Sequence, residues 1–127
     1  MKIIKKPWGA EIIYAHDNGL YIGKKIIIPK GNRISLQSHV KKHETFYLDK
    51  GTAEFRIGKK ISEISDRDPQ ENRSVIINPG VKHRIRAITD CVILESSTDY
   101  PNDVCRYEDD YGRESEKSKF KKISLKS

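Results

Sequence analysis

Cysteine is scarce in this chain of 127 residues: Cys91 and Cys105 are the two present, and they form no CxxC pair. That excludes a disulfide framework and a thiolate zinc site. Cys91 opens the apolar run Cys91-Val92-Ile93-Leu94 and reads as buried filler. Long hydrophobic runs are missing too. The N-terminal Met1-Lys2-Ile3-Ile4-Lys5-Lys6 has no extended apolar core, so no signal peptide is expected, and no run approaches membrane-spanning length. A cytoplasmic location with no membrane partner is the expectation. Helical periodicity is the third absence: before position 113 no long segment repeats its apolar residues at helical spacing. The net charge is +7, yet no recognition helix, aromatic-interleaved basic strand or glycine-arginine repeat accompanies it, so no nucleic-acid partner is expected. Much of the excess is local, since positions 114–127 hold five Lys against two Glu.

What remains is a chain of one-domain length, with 35% hydrophobic and 34% charged residues. Its apolar residues come in short runs rich in Ile, Val and Tyr, which suit a pleated, half-buried surface. The expected strands are Glu11–Ala15, Tyr21–Ile28, Arg33–His39, Thr45–Leu48, Ala53–Ile57, Val75–Ile77, Arg84–Ile88 and Val92–Glu95. Turn residues separate them, among them Asp17-Asn18-Gly19, Asp49-Lys50-Gly51 and Asn78-Pro79-Gly80. This is an all-β pattern, a sandwich or barrel. One domain over 1–113 is expected, followed by a basic tail at 114–127 that is a short helix or disordered. Polar Ser62–Arg73 reads as a loop.

Side-chain chemistry concentrates in Gln37-Ser38-His39-Val40-Lys41-Lys42-His43-Glu44, with His83 39 residues beyond Glu44. If Arg33–His39 is a strand, Arg33, Ser35, Gln37 and His39 share one face. Gln37 and His39 then reach one point, Glu44 opens the next strand, and His83 follows a Pro-Gly turn. An amide oxygen, two imidazole nitrogens and a carboxylate make a mixed N/O set with room left for water or substrate. Such a set suits zinc, iron, manganese, cobalt or nickel better than calcium or magnesium. The competing reading treats the same residues as ordinary polar strand positions.

The spacing Gly31-(five)-Gln37-x-His39-(four)-Glu44-(six)-Gly51 resembles the first cupin motif, with Gln in place of its first His. Asn78-Pro79-Gly80-Val81-Lys82-His83 resembles the second, with Asn where its Pro stands. A narrower likeness is carried by Pro7-Trp8-Gly9, Ser35-Leu36-Gln37, His83-Arg84 and Val104-Cys105-Arg106-Tyr107-Glu108-Asp109-Asp110-Tyr111-Gly112-Arg113. These look like the cupin part of type II mannose-6-phosphate isomerases. The resemblance implies an antiparallel jelly-roll barrel with one divalent metal on Gln37, His39, Glu44 and His83, zinc first among the candidates. Val40 and Lys41 stand where the family has a His-rich run, and Thr45 and Phe46 replace a His and a Trp.

The activity implied is isomerisation of a sugar phosphate of the mannose-6-phosphate/fructose-6-phosphate type. That chemistry needs an acid–base group and cations for the phosphate. His43, Lys41 and Arg106 are the catalytic candidates, His43 foremost because its ordinary pKa lies nearest neutrality. Arg33, Lys82, Arg84 and Arg113 are the substrate-binding candidates. The alternatives are a non-catalytic module binding a sugar, sugar phosphate or nucleotide sugar, or another metal-dependent cupin enzyme such as an epimerase or dioxygenase. A small-molecule partner is expected, and a homodimer through an edge strand is compatible with the pattern.

Overall fold

The computed structural model describes residues 1–67 and 72–113. Eleven strands follow one another: β1 (Lys2–Lys6), β2 (Gly9–Asp17), β3 (Tyr21–Ile28), β4 (Leu36–Ser38), β5 (Glu44–Lys50), β6 (Thr52–Ile57), β7 (Lys60–Ser65), β8 (Ser74–Ile77), β9 (His83–Ala87), β10 (Cys91–Thr98) and β11 (Cys105–Glu108). They form a six-stranded sheet in the order β1-β2-β3-β10-β5-β8 and a five-stranded sheet in the order β11-β4-β9-β6-β7. Every pairing is antiparallel. The fold is a jelly roll, and among the described residues no helix is long and apolar enough to cross a membrane.

The core lies between the sheets and obeys the two-residue period of a strand. Ile26 and Ile28 of β3, Phe46 and Leu48 of β5, Phe55 of β6, Ile85 of β9 and Ile93 of β10 all point inward and are buried. Burying each such side chain contributes roughly 1.5–3 kcal/mol. The inner face of the larger sheet changes character along its strands. At one end Cys91 lies opposite Ile28; at the other Glu95 lies opposite Lys24, and Ser97 opposite Glu44. All of these are buried. One end of the barrel is therefore a dry core and the other a polar interior.

Gly51 makes the β5–β6 turn at φ 95°, and a Cβ there would stand 2.2 Å from the Asp90 carbonyl oxygen. Only glycine meets both demands. Three elements depart from the strands expected from the sequence. β1 and β11 were not among the expected strands, and Ser62–Ser65, expected in a loop, belongs to β7. β7 pairs with β6 from Thr52↔Ser65 to Ile57↔Lys60; its side chains are mostly exposed, so the backbone ladder and the one core side chain, Ile64, hold it. Arg33–His39 is also not one strand. Leu36–Ser38 pairs regularly, and Arg33 makes an isolated bridge to Arg86. The tail at 114–127 lies outside the described residues.

Candidate metal centre

Gln37 of β4 lies directly opposite His83 of β9, and directly opposed residues share a sheet face. His39 keeps the parity of Gln37, just past β4. Glu44 comes in from the larger sheet as the first residue of β5. Ligand-capable atoms of His39, Glu44 and His83 all lie within 4.8 Å of one another, and all three residues are buried. Glu44 Oε2 is 2.6 Å from His39 Nε2 and 3.5 Å from His83 Nε2. Despite this closeness, none of the three atoms is matched to a hydrogen-bond partner.

The outer ring nitrogens explain the arrangement. His39 Nδ1 contacts the Asp103 carbonyl and His83 Nδ1 contacts the Val81 carbonyl at 3.0 Å. A carbonyl only accepts, so each Nδ1 carries a proton, and in the neutral imidazole each Nε2 then presents its lone pair toward Glu44. Three electron-pair donors then face one another in a buried space. A divalent cation satisfies all three together, whereas a proton satisfies one pair. Imidazoles fixed by a carbonyl on the far nitrogen are the usual support of a metal centre. The residues fit a metal ion.

The charge around the donors fits as well. Burial alone would raise the Glu44 carboxyl, but contact with His39, the Lys42 ammonium and the two imidazoles outweigh it and hold it at about 2. Burial pushes His83 down to about 4, against the pull of Glu44, so at neutral pH both present the deprotonated form that a metal requires. Lys42 Nζ lies 3.6 Å from Glu44 Oε1 and 3.2 Å from Glu95 Oε2. Burial pulls the Lys42 amine down, yet Glu95 and Glu44 outweigh it and the net direction is up. Glu95 also moves up, first because of burial and then because of Glu44, against Lys42. The same pair thus favours charge on Lys42 and raises the proton affinity of Glu95. Both directions follow from position: Lys42 lies between two carboxylates, whereas for Glu95, at 3% exposure, burial and the Glu44 charge outweigh Lys42 and Lys24. A second buried pair, Lys24 with Glu11 at 3.1 Å, continues the polar interior.

A family model described as the C-terminal part of mannose-6-phosphate isomerase matches residues 1–109. The chain belongs to that family. Xanthan biosynthesis protein XanB of Xanthomonas campestris pv. campestris is 30% identical over 115 residues, covering 87% of this chain and 23% of that protein. This cupin therefore spans less than a quarter of that relative's length. Among solved structures, the capsular polysaccharide assembling protein CapF of Staphylococcus aureus superposes with a TM-score of 0.70 at 20% identity, over 84% of this chain and 31% of CapF. KdgF from Halomonas sp. gives 0.68 at 14%, over 79% and 89% of the two chains. An RmlC-like cupin from Shewanella frigidimarina gives 0.68 at 17%, over 80% and 86%. At these identities the structures establish the small cupin fold and nothing finer.

The other residues singled out in the sequence lie at different places in this cupin. Gln37, Arg106 and Arg113 line the cavity that holds His39, and Lys42 and Glu95 line it too. Arg113 is also bound to Asp109 at 2.9 Å. Lys41 and His43 are exposed and do not line that cavity; His43 Nε2 instead meets Asn78 Oδ1 at 2.7 Å. The reason is parity: Lys42 and Glu44 turn inward, so the residues alternating with them turn out. Lys82 stacks on Tyr107 at 4.5 Å. Arg33 pairs with Asp110 at 2.7 Å. Arg84 is buried against the Ile34 carbonyl at 2.8 Å, with Glu108 and Asp110 at its other nitrogens. Of the aromatic residues, Trp8, Phe46 and Phe55 are core. Sequence reasoning missed Lys42, Glu95, Lys24 and Glu11. The signal that could have found them was a charged residue at a core-facing position of a strand, most visibly Glu95 two residues after Ile93.

Proposed function

We propose that this cupin is a metal-dependent isomerase of a sugar phosphate of the mannose-6-phosphate/fructose-6-phosphate type. The observation that carries it is the convergence of three donor atoms without hydrogen-bond partners, on His39, Glu44 and His83, with Lys42 reaching from Glu44 to Glu95 and with His39, Lys42 and Glu95 lining one cavity. Gln37, His39, Glu44 and His83 would hold the ion. When bound, a divalent ion supplies positive charge for the oxyanion that develops on the substrate as its C2 proton leaves. The chain's own groups do the rest. Moving a proton between C1 and C2 needs one group that both takes and returns it. Glu95 suits this role because it is buried, is held by Ser97 Oγ at 2.9 Å, and has its proton affinity raised by its surroundings. Lys42 orients the Glu95 carboxyl and balances its charge. Lys6, Arg106 and Arg113 line the same cavity and are the cations we assign to the phosphate. Lys41 and His43 have no part in this scheme, since neither borders the cavity.

The family match and relatives named for xanthan biosynthesis and capsular polysaccharide assembly support a sugar-derived ligand. One observation favours a second reading. The cavity's free volume is about 80 Å³, small beside small-molecule pockets of roughly 300–1,000 Å³, as suits a module that grips one end of a sugar without turning it over. Metal quantification on the purified protein, followed by NMR of hexose-6-phosphate interconversion with each divalent ion restored, separates the two. Interconversion lost in His39→Ala supports the isomerase. A metal-loaded protein inert on every aldose and ketose phosphate supports the binding module. A protein that takes up no divalent ion removes both metal-based readings.

A further inference from the structure

The segment between β10 and β11 grips the metal centre from outside the cavity. Its Asp103 makes four contacts with four consecutive residues. The backbone carbonyl meets His39 Nδ1. Its Oδ1 accepts the Val40 N–H at 3.0 Å, and its Oδ2 accepts those of Lys41 at 2.7 Å and Lys42 at 2.9 Å. The His39 carbonyl in turn accepts the Gly80 N–H at 2.7 Å, in the turn that opens β9 and aims His83. Three chain segments distant in sequence thus interlock at His39.

Each contact does something chemical. The carbonyl dictates that Nδ1 holds the proton, leaving the Nε2 lone pair for the ion. The carboxylate gathers three successive N–H groups, those of Val40, Lys41 and Lys42, onto one side chain. It thereby fixes the turn that sends Lys42 and Glu44 inward and Lys41 and His43 outward. A carboxylate is the side chain suited to this, because both of its oxygens accept; an amide offers one acceptor and turns an NH₂ toward a donor.

We propose that Asp103 is the positioning residue of the metal centre: its carbonyl sets the His39 tautomer and its carboxylate holds the 40–42 turn so that His39 and Glu44 close on one ion. This rests on the metal-binding reading above. The test uses the full chain, stripped with chelator and titrated with Co²⁺ and Zn²⁺, for wild type, Asp103→Asn, Asp103→Ala and the control Asp99→Ala. Asp99 lies in the same segment but binds Gly19 and His16 instead. The expected result is a graded loss of affinity, roughly 10–100-fold for Asp103→Ala and less for Asp103→Asn, with an altered Co²⁺ absorption spectrum and an unchanged Asp99→Ala. A purely structural role would lower the melting temperature of apo and loaded protein alike and leave Kd alone. If wild type binds an ion and both Asp103 variants bind it within twofold, this inference fails while the metal reading stands. If wild type binds none, both fail. Nitrogen NMR of the metal-free wild type gives an independent check: His39 carrying its proton on Nε2 overturns the assignment. Should Asp103→Ala not fold, Asp103→Asn and the NMR measurement decide.

Discussion

Replacing Lys42 with Met tests the buried charge network most directly. Met keeps the length of the side chain and deletes its charge. In the native protein the ammonium sits 3.2 Å from Glu95 and 3.6 Å from Glu44, with the two carboxyl residues only 3% and 2% exposed. At an effective dielectric of about 20, a unit-charge pair at the shorter distance is worth about 5 kcal/mol. Part of that is offset by the desolvation of Lys42, which its removal recovers. Removing one partner of a buried pair costs about 3–5 kcal/mol, and that is the expected loss for Lys42→Met in the metal-free protein. Against a domain stability of about 5–15 kcal/mol, the variant should be folded but easily denatured. Adding Glu95→Gln removes one stranded carboxylate, so the double variant should recover more than about 1 kcal/mol of the loss, a coupling within the range of groups in contact. Urea unfolding followed by circular dichroism at pH 7 with chelator present measures all four members of the cycle. A Lys42→Met stability within about 1 kcal/mol of wild type, far short of the roughly 3–5 kcal/mol expected, would refute this account of the network. So would a double variant no more stable than the single.

Three further outcomes are expected. His83 has its folded pKa lowered to about 4 from 6.5, so below pH 6.5 the unfolded chain binds a proton that the native state refuses. Its contribution is complete above that pH and falls as pH drops toward 4, by roughly 3 kcal/mol at about 1.4 kcal/mol per pH unit; urea midpoints of the metal-free protein against pH should show the slope, and His83→Gln should flatten it. Glu95→Gln should lower turnover by roughly 10²–10⁴-fold while His43→Ala and Lys41→Ala stay within a few-fold of wild type; the reverse order in a coupled isomerase assay would return the acid–base role to His43. Gly51→Ala should destabilise the fold by at least 1–3 kcal/mol, roughly the cost of a strained backbone, with the collision against the Asp90 carbonyl added, as a shift in thermal midpoint would show.

Much of the candidate site was readable because metal ligation imposes residue types at set spacings. Gln37, His39, Glu44 and His83 stand out as donors, and the structure brings the histidines and Glu44 together. The strand pattern was readable where apolar residues alternate, as in β3 and β5. It failed at β7 and β11, where backbone pairing to a neighbouring strand holds polar residues in extended form. The acid–base candidates were the least readable. His43 attracts attention by its chemistry, but one step of strand parity sends it to solvent and sends Lys42 inside. Glu95 is a single charge at the end of an apolar run. Its significance comes from Lys24, Phe46 and Lys42, which come from other strands and the turn before β5.

Fold class, family likeness and the candidate metal donors were legible in the residues alone, because each is written in spacing: alternation along strands, glycine at turns, and donors at fixed intervals. Tertiary structure alone decided which charged residues share the cavity. Arg84 and Arg33 are tied up with Glu108 and Asp110, whereas Lys42 and Glu95, unremarkable in sequence, become the buried pair beside the donors. Sheet order and register set that outcome, since they bring together residues separated by dozens of positions, and in a low-dielectric interior their proximity governs their charge.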